Sequence, residues 1–339
     1  MNETIDTRSA RWDLYRDAAG LAAESGQLER AVRLYTAALK EAEQFGEMDT
    51  RLPATIENLL DLYEHMIKVA HNPTYEALAN RLLHLQEGVF GTESMQLEST
   101  LDRLARAYYA NGKLADAEAV YRRLIKLEES HLGSDDSAVA DTLQDLALAL
   151  RDSDSYAEQE EVWKRAIAII EHAEGPQTLK LAGLLENLAE VYVAAKKYSD
   201  AVATLEHAVR VLDQPNEYGF TPIRVLQRLA ELQETQGAFA NAEPLYRRAL
   251  ALQEQLESQM RVELASSTVG AFARTMGLRD IDEEASALLH HYAAVLRALG
   301  REKESTTMET RASARQAEAE ARSELLADVE RIAQGSVNA

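Results

Sequence analysis

The stretch AYYANGKLADAEAVYRRLIKLEESHLG at residues 107–133 decides the fold, because close copies of it recur along the chain. Its apolar residues recur at intervals of three and four, which is the spacing of an amphipathic helix, and Gly112 separates two such helices. Similar stretches occupy 22–46, 191–212 and 232–256, with a fainter copy at 150–175. The sequence therefore predicts one helical hairpin that is repeated several times.

The period of the repeat is regular. Gly91, Gly133 and Gly175 follow one another at intervals of 42 residues, and a fixed interval of this size indicates a stacked array of hairpins. One hairpin cannot bury its apolar stripes alone, whereas stacked neighbours form a continuous core. The turn positions inside the hairpins are Gly26, Gly112 and Gly237, with Asp154 and Lys197 in the corresponding places of the remaining copies.

Composition and net charge limit the classes of site and partner that this chain can have. The chain has 46% hydrophobic residues, 15 Gly, 6 Pro and no Cys, which favours helix and excludes disulfides and thiolate metal sites. A net charge of −21 repels phosphate backbones, so no nucleic-acid partner is expected. The acidic surface either attracts basic partners or serves solubility. The amino-terminal residues lack the apolar core of a signal peptide, and no apolar run is long enough to span a membrane. A cytoplasmic protein without membrane insertion is expected.

Several residues resemble the consensus of the tetratricopeptide repeat. The third unit matches it with Leu104, Ala105, Tyr108, Gly112, Ala117 and Tyr121, and the sixth unit matches it with Leu229, Ala230, Gly237, Ala242, Tyr246 and Ala249. The 42-residue period resembles the kinesin light chain variety of this family more than the common 34-residue form. The resemblance covers residues 10–258 well and 259–300 weakly. It implies an all-α, right-handed α-solenoid that binds other proteins.

The domain boundaries follow from the same pattern. We expect a flexible tail at 1–9, the tetratricopeptide solenoid at 10–300, and a capping or partner helix with a tail at 301–339. Beyond residue 258, the stretches 261–277, 281–300 and 301–334 each read as one helix. An approximate heptad in the last helix comprises Met308, Ala312, Ala319, Leu326, Val329 and Ala333. A solenoid cap explains this pattern, and homo-oligomerisation through the C-terminal helix is the alternative.

Small residues are expected where two helices touch. Ala117 and Ala242 occupy such positions, so that a larger side chain there would overpack the contact. Gln159 stands at the same place in the fainter copy, and the sequence predicts that it tolerates substitution better than the two alanines.

Motifs that carry chemistry are missing from the sequence. It contains no dinucleotide-binding or phosphate-binding glycine loop, no zinc-protease motif and no nucleophile elbow. The adjacent His290 and His291 point about 100° apart on a helix and do not chelate one ion. No cofactor, metal or catalytic residue is expected. An enzyme with an unrecognised carboxylate site remains the alternative.

The resemblance also implies a binding groove, because in this family the first helix of each repeat lines the concave side of the solenoid. The positions that carry over are Asn58, Asp61, Asp102, Arg103, Arg106, Asp145, Asn187, Glu190, Arg228 and Glu231. Asn58 and Asn187 stand where light-chain repeats carry an Asn that holds the backbone of a peptide, since an amide both donates and accepts hydrogen bonds. The alternative for each position is a solvated helix face.

The predicted function is therefore that of an adaptor or scaffold that binds a peptide or a partner helix in the concave groove. The mixed charges of the groove favour a polar or charged ligand, and Arg103 with Arg106 would grip its carboxylate. One structural alternative remains, in which the solenoid assembles with copies of itself and its own C-terminal helix fills the groove.

Overall fold

The computed structural model describes residues 2–66, 72–152, 155–213, 223–266 and 271–335, and within these ranges the regular secondary structure is helical with no strand. Contacts divide the chain into two compact units, Met1–Glu174 and Gly175–Ala339. None of the described helices has a stretch that is both long and apolar enough for a membrane span.

In the part of the first unit that the structure describes, the helices form four hairpins. In chain order, its helices are α1 (Asn2–Glu24), α2 (Leu28–Ala42), α3 (Arg51–His65), α4 (Pro73–Phe90), α5 (Glu98–Ala110), α6 (Leu114–Leu132), α7 (Ser137–Ala149) and α8 (Tyr156–Ala173). Single turns of 3-10 helix precede α5 at Met95–Leu97 and follow α2 and α7 at Glu43–Phe45 and Leu150–Asp152. Because α1 begins at Asn2, residues 2–9 are helical where a flexible tail was expected.

The predicted apolar stripes face inward in the structure. On α5, Leu104 and Ala105 are buried, and on α6 Ala117, Tyr121 and Leu124 are buried against them and their neighbours. Burying one large apolar side chain contributes about 1.5–3 kcal/mol, so each hairpin depends on the next one to cover its second face.

The turn inside each hairpin needs one residue in the left-handed region. Gly112 takes this role between α5 and α6 with a φ of 71°, which a glycine adopts without steric strain. Between α9 and α10 the corresponding residue is Lys196, with a φ of 60°. The sequence analysis assigned Lys197 to this turn position, and that prediction is wrong by one residue. The Lys197 carbonyl already accepts a hydrogen bond from the Ala201 N–H at the start of α10. Asp154, the residue predicted for the fourth copy, lies outside the described residues.

The described residues of the second unit form six helices, which also pair as hairpins. They are α9 (Leu179–Ala194), α10 (Tyr198–Leu212), α11 (Ile223–Thr235), α12 (Phe239–Ser266), α13 (Ala271–Ala298) and α14 (Glu302–Gly335). The prediction of a separate helix at 261–277 is wrong, since α12 continues to Ser266 and α13 begins at Ala271. Gly277 lies inside α13 and does not end a helix. Its φ is not positive, and helical residues continue on both sides of it.

The long C-terminal helix packs within the second unit. Ala312, Ala319 and Leu326 of α14 are buried, and they belong to the heptad recognised in the sequence. Two serines form hydrogen bonds between α13 and α14. Ser286 Oγ donates to the Ala312 carbonyl at 3.0 Å, and Ser305 Oγ donates to the Ala293 carbonyl at 2.8 Å. An all-α array of helical hairpins with a long C-terminal helix, the fold class expected from the sequence, is confirmed.

Candidate functional site

The predicted groove residues all lie on the first helices of their hairpins. In the first unit, α3 carries Asn58 and Asp61, α5 carries Asp102, Arg103 and Arg106, and α7 carries Asp145. In the second unit, α9 carries Asn187 and Glu190, and α11 carries Arg228 and Glu231. Their side chains are partly or fully exposed, so each unit has a polar face made by its first helices.

Arg103 is the centre of a charge cluster in the first unit. Its Nη2 contacts Asp61 Oδ1 at 2.5 Å and its Nε lies 3.5 Å from Glu64 Oε1. Tyr75 adds a further hydrogen bond, because its hydroxyl donates to Glu64 Oε1 at 2.5 Å. Burial and the hydrogen bond to Glu64 raise the pKa of Tyr75 well above the usual range of a phenol. Two carboxylates of the chain therefore already neutralise the Arg103 guanidinium.

A second pair lies one turn further along α5. Arg106 Nη2 contacts Asp102 Oδ2 at 2.6 Å, with the guanidinium more exposed than that of Arg103. Burial raises the pKa of the Asp102 carboxyl in spite of this pair. The expected grip of Arg103 and Arg106 on a ligand carboxylate would thus compete with carboxylates of the same chain.

Asp145 differs from the other acidic residues of this face. It makes no hydrogen bond or ion pair with any of the residues that the structure describes, although Asp102 and Arg106 both act on it through space. Burial, followed by repulsion from Asp102, raises the pKa of Asp145 to about 6. A carboxyl with such a pKa is mostly ionised at neutral pH, and none of the described cations forms a direct ion pair with it.

Some of these side chains line a pocket of about 350 Å³ on the first-helix face of the first unit. Its lining residues come from five consecutive helices and are Glu64, Tyr75, Arg106, Tyr109, Ala110, Tyr121, Asp145 and Leu148. The sequence predicted Arg106 and Asp145 as site residues and assigned Tyr121 to the core. It missed Glu64, Tyr75, Tyr109, Ala110 and Leu148. The one available signal was Tyr109, an aromatic residue outside the apolar stripe of α5.

The polar face of the second unit is more completely paired. Arg228 forms an ion pair with Glu190, and Arg224 contacts the buried Glu186 at 2.9 Å. Gln227 Nε2 donates to Glu231 Oε1 at 2.9 Å. A pocket of about 520 Å³ in this unit is lined by residues of α10, α11 and α12, and it includes none of the predicted site residues.

The two asparagines of the predicted site have different surroundings. Asn58 Nδ2 donates to the Ala54 carbonyl of its own helix at 2.8 Å, which engages one amide hydrogen before any ligand arrives. Asn187 is half-buried on α9. In the described part of the chain, no group of three or more His, Asp or Glu side chains is arranged to hold a metal ion.

Comparisons with known proteins agree with the architecture. Three family models, each described as tetratricopeptide repeat, match residues 98–138, 136–214 and 225–260. No curated protein sequence matches the chain. Among solved structures, BtubC (BKLC) from P. vanneervenii is 19% identical with a TM-score of 0.52, and the match covers 72% of this chain and 94% of that chain.

Two further solved structures are similar. A kinesin light chain homologue with nearly identical TPR-like repeats from Podosopora anserina is 20% identical, with a TM-score of 0.49 and coverage of 59% of this chain and 94% of that one. A tetratricopeptide repeat protein from Parabacteroides merdae is 13% identical, with a TM-score of 0.49 and coverage of 94% and 98%. At these identities, the likeness to BtubC shows the fold alone.

Proposed function

We propose that the chain is a protein-interaction scaffold, as its tetratricopeptide repeats support, and that it binds a peptide segment of a partner protein on the first-helix face of these repeats. The role is that of a non-enzymatic adaptor. The binding face of the first unit includes the six predicted groove residues on α3, α5 and α7. The binding face of the second unit includes the four predicted groove residues on α9 and α11.

The pocket on the first unit is the observation that carries this proposal. Five consecutive helices contribute to its wall, so its shape depends on three adjacent hairpins being stacked correctly. Three tyrosines line it, and tyrosine is enriched at protein interfaces because it combines a large apolar surface with a hydroxyl that can form hydrogen bonds. A pocket of this kind holds an anchoring side chain, whereas the surrounding polar face holds the rest of a peptide.

Site-specific crosslinking tests the proposal with a matched pair of tyrosines. Tyr109 lies on a first helix and lines the pocket, Tyr198 lies on the second helix α10, and each exposes 41% of its surface. The photoreactive residue p-benzoylphenylalanine replaces one or the other in the full chain. After irradiation in native lysate, mass spectrometry identifies the adducts, and the purified partner is then titrated against both variants.

We expect a specific adduct from position 109 and none of comparable yield from position 198. The same purified partner should protect the Tyr109 region from hydrogen exchange. Adducts that arise from position 198 alone, with full affinity retained when Tyr109 is changed to Glu, would place the interaction on another surface and reject the proposal.

A further inference from the structure

The first-unit pocket carries a surplus of negative charge. Glu64, Asp145 and Arg106 line it, and ion pairs connect this wall to Arg103, Asp61 and Asp102, so that four carboxylates stand against two guanidiniums in the cluster. Asp61 and Glu64 share Arg103, and Asp102 faces Arg106. The remaining carboxylate is Asp145, and it lines the pocket.

A second group in the wall also lacks a partner. Tyr121 is only 2% exposed and lines the same pocket, yet its hydroxyl forms no hydrogen bond with any residue in the described ranges. The ring is buried but the hydroxyl keeps contact with solvent, so a ligand or a water molecule in the pocket can form a hydrogen bond with it. Burial, followed by repulsion from Asp145, raises the pKa of Tyr121, and both residues line this pocket.

The rest of the wall suits the stem of a long side chain. Tyr75, Tyr109, Tyr121 and Leu148 supply ring and aliphatic surfaces. Lysine and arginine bury their methylene stems along such surfaces and keep the charged head at a polar partner. Aromatic faces also attract a cation through their quadrupoles.

From these observations we infer that the pocket receives a lysine or arginine side chain of the bound partner segment, with its head at Asp145 and near the Tyr121 hydroxyl. The inference rests on the proposed function, because it names the chemistry of the segment that binds this face. It reverses the expectation that Arg103 and Arg106 grip a ligand carboxylate, since those guanidiniums already face Asp61, Glu64 and Asp102. The net charge of −21 favours approach of a cationic segment from a distance.

Peptide selection tests the inference with the full chain. The probe is a phage-displayed library of random peptides, selected in parallel on the wild-type protein, on Asp145→Asn and on Asp141→Asn. The last variant is a matched control, because it makes the same change of charge on the same helix at an exposed position outside the pocket lining. The best peptide is then synthesised in its selected form and with norleucine in place of its basic residue.

We expect wild type and Asp141→Asn to select peptides with lysine or arginine at one fixed position, and Asp145→Asn to lose this preference. The Asp145→Asn change and the norleucine replacement should each weaken binding about tenfold or more, as for a hydrogen bond to a charged group, and should not add in the combination. Binding should become weaker with salt.

Three outcomes overturn the inference, and they can be told apart. Peptides that crosslink at position 109 but show no basic preference, or bind Asp145→Asn as tightly as wild type, reject the cationic side chain and leave the proposed function standing. Peptides anchored by an apolar residue assign the pocket to that residue instead. If no selected peptide crosslinks at position 109, the proposed function fails together with the inference.

Discussion

Arg103 on α5 contacts Asp61 on α3 at 2.5 Å, and the two residues are 42 positions apart. This distance in sequence equals the interval between Gly91, Gly133 and Gly175, so the ion pair joins equivalent helices of neighbouring repeats. The pair therefore contributes to the stacking of hairpins as well as to the charge of the face.

The double role of Arg103 predicts an unequal effect of two similar substitutions. Arg103→Ala should lower the free energy of unfolding by about 1–2 kcal/mol, because it leaves Asp61 and Glu64 close together without their partly buried cation. Arg106→Ala removes an exposed pair between residues one turn apart and should change stability by about 0.5 kcal/mol or less. Urea denaturation compares the two variants. Equal effects would contradict a structural role for Arg103.

The repeat, its period and the first-helix location of the site could be predicted from the sequence, because they depend on local apolar spacing. The partners of the site residues could not be predicted, since they depend on which side chains of different hairpins meet. Asp61 and Arg103 were both recognised as groove residues, but nothing local shows that they pair with each other. Tyr121 fitted a core position of the consensus, and only the packed structure shows that it also lines the pocket.

Overpacking tests the register of the helix contacts. Ala117 and Ala242 are fully buried, so Ala117→Leu and Ala242→Leu should each destabilise the protein by about 1–3 kcal/mol. Thermal unfolding measures the effect. Substitution of a neighbouring exposed residue, Ala115→Leu, provides the control and should change little.

The tolerance predicted for Gln159 does not agree with its surroundings. Gln159 is buried, and its Nε2 donates to the Leu150 carbonyl at 3.0 Å. Gln159→Ala should therefore destabilise the protein by about 1–3 kcal/mol, because it leaves a cavity and removes the donor from a carbonyl that sits at the end of α7. A free energy of unfolding within about 0.5 kcal/mol of wild type would instead support the tolerance that the sequence predicts for this position.

Glu128 predicts a measurable dependence of stability on pH. This buried residue of α6 accepts a hydrogen bond of 2.8 Å from Thr142, while its Oε2 has no partner among the described residues. Burial raises the pKa of Glu128 from 4.5 to about 7. Since the folded pKa lies above the unfolded one, the folded state holds the proton more tightly, and stability is lost as pH rises from about 4.5 to about 7.

Glu128→Gln should remove this loss. The free energy of unfolding of the variant, relative to wild type, should rise by about 1–2 kcal/mol between about pH 5.5 and about pH 8. Parallel urea titrations at both pH values give the difference. A constant difference across the range would show that Glu128 does not change its ionisation on folding.

Asp145 predicts a pH dependence of binding with the opposite direction. With a pKa of about 6, its carboxyl is mostly protonated at about pH 5.5 and mostly ionised at about pH 7.5, so the affinity for a lysine-containing peptide should rise about fourfold over this interval. The charged neighbours that act on it are Asp102, Asp141 and Arg106. Calorimetric titration should show the rise in wild type and its loss in Asp145→Asn. A rise that persists in this variant would assign the titration to another group.

A buried carboxylate also holds the C-terminal helix in place. Asp282 on α13 is 0% exposed, its Oδ1 lies 2.7 Å from Arg315 Nη1, and it forms a second ion pair with Arg322. Arg315 in turn contacts the buried Glu257 of α12 at 2.6 Å. The network thus connects α14 to both helices before it, in addition to the apolar contacts of Ala312, Ala319 and Leu326.

Removal of Asp282 should release this helix. Asp282→Ala leaves two guanidiniums without their shared anion, and we expect a loss of about 3–5 kcal/mol, with hydrogen exchange accelerated most over Glu302–Gly335. Asp280→Ala removes an exposed carboxylate that pairs with its neighbour Arg279, and it should have little effect. If α14 caps the array, its release should expose the apolar residues that it covers. The Asp282→Ala variant should then associate in light-scattering measurements, while wild type does not. If wild type instead forms dimers that Leu325→Glu and Val329→Glu dissociate, the exposed side of α14 mediates self-association and the capping role alone is insufficient.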